Sequence, residues 1–143
     1  MWWHKHLWII LMQIIAFIPY IIGSRKFYLR KKNFMIWIAI GLILDFIMAI
    51  SPVIFKLPRM DSSQGAPWTS FLFITHITTS GIGMFGFFIM FFYLIFKGTN
   101  YDYERLRKFQ YHLLLKLWII GVGIALINFL VKVLFNLRIY DFI

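Results

Sequence analysis

The sequence predicts an all-α, polytopic membrane protein: a bundle of four transmembrane helices with both termini on the outer side. Three observations carry this. The 143 residues are 62% hydrophobic with a mean hydropathy of +0.80, above the apolar content of about 45–50% found in soluble domains. Four apolar runs are long enough to cross a bilayer, which takes about 20 residues as a helix. The formal charge of +10 sits in short connections between those runs rather than on one amphipathic surface, as topology signals and anionic-lipid contacts do. That distribution sets nucleic acid aside as a partner.

The first span covers residues 7–27. Only Lys5 and two histidines precede its apolar core and no small-residue cleavage site follows, so it reads as a retained helix rather than a signal peptide. Pro19 is expected as a kink, and His6, Gln13 and Tyr20 share one face. The connection SRKFYLRKKN then supplies Arg25, Lys26, Arg30, Lys31 and Lys32 without an acid, and marks the cytoplasmic side. The second span, residues 33–55, places Gly41, Asp45, Ala49 and Pro52 on one small-residue face. A lone carboxylate there is neutral, paired with a base or facing water.

The loop Lys56 to Trp68 is rich in turn formers and lies on the outer side. The third span, residues 69–96, carries His76 in an otherwise apolar run, and an ionisable residue inside hydrocarbon is a functional candidate. His76, Ser80, Gly83, Phe87 and Met90 share a face; Phe71, Phe85, Phe88, Phe92 and Ile95 suit lipid. Small residues on the first face admit a second helix or a flat ligand. KGTNYDYERLRK returns the chain on the basic side, and the fourth span, residues 109–135, has two polar stripes. One holds His112, Lys116 and Gly123, the other Gly121, Ala125, Asn128 and Lys132, with both lysines expected to snorkel. Trp2, Trp3, Trp8 and Trp68 read as an aromatic belt.

The chemistry is sparse. Without cysteine there is no disulfide, thiolate site or covalent haem attachment, and no zincin, hydrolase-elbow or Walker motif occurs. GIGMFG follows no strand, so packing explains it. Counting about 1.5 Å per residue, His76 lies roughly 10 Å below the outer edge at a depth similar to Asp45, which leaves a bond between them geometrically open. His112, at the start of its helix, lies roughly 20 Å from His76 along the membrane normal. Two axial pairings remain for a haem: His76 with His6 or His4 outside, and His112 with Met90 inside. The alternative is a structural His76 bonded to Asp45, with the other histidines interfacial.

The first helix ending IPYIIG, the basic connection, the second helix WIAIGLILDFIMA, a third-helix histidine followed by small residues, and FQYH leading to Trp118 together give a pattern. It resembles the HsmA-type haem-sensing membrane proteins and the related YozB/CtaM group associated with terminal oxidase assembly. The resemblance, from about Phe17 to Leu134, implies haem b in the bilayer, with His76 as the first ligand and His112 next. The family's further histidine, about four turns after the first, is replaced here by Met90. Two functions are therefore expected from different classes. One is haem b binding for intramembrane electron transfer or haem handling linked to respiration, with Asp45 orienting His76. The other is a cofactor-free structural or assembly subunit of a larger complex, in a bacterial inner or organellar inner membrane. A proton-coupled transporter using Asp45 and His76 is disfavoured, since no inverted repeat or broken-helix pair is visible.

Overall fold

The computed structural model describes residues 3–56 and 67–135, with the side chains of residues 3–6, 52, 67–69 and 132 outside that description. Among the described residues all regular structure is helical: α1 (Trp3–Tyr28), α2 (Phe34–Ile54), α3 (Pro67–Lys97), then a fourth rod made of α4 (Glu104–Phe109), a π-helical turn (Gln110–Leu114) and α5 (Leu115–Phe135). All four rods are long and apolar enough to cross a membrane. The protein is a multi-pass membrane helical bundle. Of the loop expected from Lys56 to Trp68, residues 57–66 lie outside the described residues and Pro67 and Trp68 already belong to α3; the side chains of Trp2, Trp3 and Trp68 are likewise outside the description, and Trp8 is exposed.

Two of the described helix ends show how the chain turns. After α1, the amide of Lys31 bonds the carbonyl of Lys26 (2.8 Å) and that of Arg30 bonds Phe27 (3.1 Å), with Arg30 at φ 57°. This is a Schellman closure with arginine where glycine is usual, at a cost of about 1–2 kcal/mol for the left-handed backbone. Asn33, φ 65°, then opens α2; asparagine is among the residues that tolerate this region. Gly98, φ 85°, ends α3 without that cost. Pro19 stays inside α1, as proline often does in membrane helices whose neighbours satisfy the freed backbone.

Glycines set the packing. The α1–α2 seam closes where Gly23 faces Ile38 and Gly41 lies under the Tyr20 ring. The α3–α5 seam closes at three levels: Gly121 against Ser80, Gly83 against the backbone and Cβ of Trp118, and Gly86 against Leu114. Such small-residue contacts are how membrane helices gain van der Waals contact when hydrophobic association contributes little. α1 also packs on α5 and α2 on α3, so α2 and α5 face each other across the diagonal. The centre is aromatic: Tyr20 lies 4.4 Å from Trp118 and 4.8 Å from Phe87, and Phe17 meets Trp118 edge-on at 5.1 Å. Outward, Phe71, Phe85, Phe88, Phe92 and Ile95 are exposed, as a lipid-facing surface requires.

The fourth helix begins at Glu104, five residues before the expected start at Phe109. Glu104 and Lys108 form an i,i+4 ion pair (2.6 Å), and Arg107 turns inward, so a charged segment joins the helix. The two basic connections meet at one end of the bundle, as two crossings require: Asp102 accepts from both Arg30 (2.5 Å) and Arg107 (2.8 Å).

Candidate functional site

Two polar constellations lie inside the spans. The first is built on Asp45, buried near the middle of α2. Its Oδ2 accepts from the Tyr20 hydroxyl (3.0 Å) on α1 and from the Trp118 indole N–H (2.8 Å) on α5. No cation bridges Asp45 among the described residues. The carboxylate is therefore paired with neither a base nor water-facing surface, but held by two neutral donors from different helices. All three side chains are buried, so the Asp45 carboxyl supplies the acceptor that both the Tyr20 hydroxyl and the Trp118 N–H would otherwise lack. The group ties three rods across the diagonal at one depth.

The second constellation is His76. Its Nδ1 lies 2.6 Å from the carbonyl oxygen of Gly121 on α5. A carbonyl only accepts, so Nδ1 carries the proton and the lone pair of the neutral ring resides on Nε2. The geometrically open bond to Asp45 is not made, because each partner has a nearer one: α5 lies closer to His76 than α2 does, and Asp45 reaches inward to the aromatic centre. Around His76 the hydroxyls fold back onto their own helix, Ser80 to the carbonyl of His76 (2.6 Å), Thr79 to that of Thr75 (2.6 Å) and Thr75 to that of Phe71 (2.8 Å). No protein family, curated protein or solved structure matches this chain.

The remaining histidines do not converge on these sites. The side chains of His4 and His6 lie outside the described residues, so the outer pairing with His76 has no described geometry. His112 stands on the π-helical turn, exposed, with its ring edge-on to Tyr28 and Tyr111 at 5.4 Å. It is nine residues from Gly121, which is about 13.5 Å by helical rise, less than the roughly 20 Å expected because the helix starts earlier. Met90 lies near the level of His112, one turn beyond the Gly86–Leu114 contact, but is buried in the core while His112 is exposed. Among the described residues no three His, Cys, Asp or Glu gather as a metal site.

Among the described residues, no second axial ligand stands opposite His76. The space that Ser80, Gly83 and Gly86 leave is filled by Trp118, Leu114 and the backbone at Gly121, so their smallness serves helix contact. Among the described histidines, His76 has the form of a ligand, with Nδ1 anchored on the Gly121 carbonyl and the lone pair on Nε2.

Several residues that shape the interior give little sign in the sequence. Trp118 and Tyr20 look like ordinary aromatics until Asp45 is seen between them. Arg107, nearly buried, donates to the Tyr28 carbonyl (2.7 Å) at the end of α1 as well as to Asp102. Gln110, fully buried, donates to the Ser24 carbonyl (3.0 Å). Their spacing, three residues apart just ahead of an apolar run, is the one signal that places both on the inward face.

Proposed function

We propose that this protein is a structural or assembly subunit of a larger membrane complex, its interior given over to holding four helices in fixed register. The observation that carries this is the Tyr20–Asp45–Trp118 cross-tie, which uses the one buried carboxyl group among the described residues to lock α1, α2 and α5 together at the level where Gly83 receives Trp118. With the centre committed in this way, what the protein offers to others is its outer surface. The basic end, where Arg25, Lys26, Lys31 and Lys32 cluster, faces the cytoplasmic or matrix side in this reading, with both termini opposite.

The second reading is haem b binding for electron transfer or haem handling. It is favoured by one observation, the orientation of His76 by the Gly121 carbonyl, and requires the second axial position to come from outside the described residues. His76 would hold the iron; redox chemistry would belong to the cofactor.

One preparation tests both. The protein, solubilised from its own membrane in mild detergent, is run on a native gel, and its reduced-minus-oxidised spectrum is recorded. Migration in a band well above the monomer, without a low-spin haem band, is expected. A sharp haem band at near-stoichiometric occupancy that disappears in His76→Ala would overturn the first reading in favour of the second. A monomer with no haem would defeat both.

A further inference from the structure

A groove of about 960 Å³ runs along the outside of the bundle between α3 and the start of the fourth rod, separate from both polar constellations. Its wall is apolar, formed by Ile82, Phe85, Ile89 and Phe109, and its floor is the Gly86–Leu114 contact. At the basic end it opens between Tyr93 and Arg105. From Ile82 to Tyr93 the helix rises about 16.5 Å, close to half of the roughly 30 Å hydrocarbon core. The groove thus extends from headgroup level to about the bilayer midplane.

Charge at the mouth is unevenly committed. Asp102 accepts from Arg30 and Arg107, and Glu104 pairs with Lys108. Both acids that line the mouth are satisfied by other cations. Arg105, exposed on the same rim, has no ion pair among the described residues, and Lys97 is the last residue of α3.

We infer that this groove binds one anionic phospholipid, an acyl chain lying on the Ile82–Phe85–Ile89 wall and the headgroup phosphate meeting Arg105. The match rests on two independent features: an apolar trough one leaflet long, and an uncompensated guanidinium where the headgroup falls. A guanidinium meets phosphate with a planar fork of donors, which a choline-bearing, net-neutral headgroup satisfies less well because its own cation competes.

The test is native mass spectrometry of the detergent-purified full chain, titrated separately with dioleoylphosphatidylglycerol and dioleoylphosphatidylcholine. The wild type is expected to retain one phosphatidylglycerol in preference to phosphatidylcholine. Arg105→Gln should reduce that preference about fivefold, the worth of one basic residue near an anionic surface. Ile89→Trp, which fills an exposed part of the wall, should release both lipids. Arg105→Glu, at an exposed position that leaves folding intact, should reverse the preference and serves if Ile89→Trp fails to fold. Equal retention of the two lipids, an unchanged preference in both Arg105 variants, or an unchanged lipid count in folded Ile89→Trp would overturn the inference. Loss of a dimer rather than of lipid in Ile89→Trp would assign the groove to a second copy of the chain and overturn it equally.

Discussion

Two glycines in α3, two residues apart, are expected to respond oppositely to the same methyl group. A Cβ built at Gly83 would lie 2.5 Å from the Trp118 Cβ, 2.8 Å from its Cα and 3.0 Å from its backbone nitrogen. A Cβ at Gly81 meets nothing within 4 Å. Both substitutions to alanine gain the same helix propensity, about 1 kcal/mol, so that contribution cancels in the comparison. What remains is steric. To restore ordinary contact at about 3.5 Å, α5 must retreat by roughly 1 Å at residue 118, since the obstacle is backbone rather than a rotatable side chain. Overpacking of this kind costs about 1–3 kcal/mol. The retreat also stretches the 2.8 Å bond from Trp118 to Asp45, which pushes the value toward the upper end. Gly83→Ala is therefore expected to be about 1–3 kcal/mol less stable than Gly81→Ala, with Gly81→Ala at or slightly above wild type. Reversible unfolding in mixed micelles, followed by far-UV circular dichroism, measures both. Equal stabilities would refute the α3–α5 register, because a seam that closes elsewhere leaves both positions open.

The Asp45 cross-tie separates shape from chemistry. Asp45→Asn retains a carbonyl oxygen able to accept from Tyr20 and Trp118 and should cost less than Asp45→Leu, which leaves both donors buried and unsatisfied at about 1–3 kcal/mol each. The same unfolding assay ranks them, and an Asp45→Leu variant as stable as Asp45→Asn would deny the cross-tie. At the basic end, Arg107→Met removes a nearly buried guanidinium that serves both Asp102 and the Tyr28 carbonyl, and should destabilise by about 1.5–3 kcal/mol. Arg30→Gln breaks an ion pair whose side chains are 62% and 46% exposed, so at most about 1 kcal/mol is expected there, vanishing in high salt. Melting curves at low and high salt distinguish the two arginines.

Much of this protein was legible in one dimension. Span positions, the absence of cysteine chemistry, the meeting of the two basic connections at one end and the lipid face of α3 all follow from hydropathy, charge placement and a 3.6-residue period, which are local properties. Legibility stopped where a choice between partners began. His112, Lys116, Gly123 and Gly121, Ala125, Asn128 were equally good stripes on paper. The fold turned the second inward, leaving His112 and Lys116 exposed and Gly123 open, because Gly121 alone lets α5 approach the backbone at Ser80. The π-helical turn at Gln110–Leu114, and the early helix start that carries Arg107 inward, left no hydropathy signal.

Hydropathy and charge placement alone make this a four-span membrane protein whose two basic connections share one end, because burial in lipid acts on each segment separately. It took the packed bundle to assign Asp45 to Tyr20 and Trp118 and His76 to Gly121, and to bury Met90 while leaving His112 exposed. Those pairings depend on how each rod is rotated and which neighbour it touches. Helix rotation is set by glycine contacts at van der Waals range, summed over the whole bundle, and no single segment contains that information.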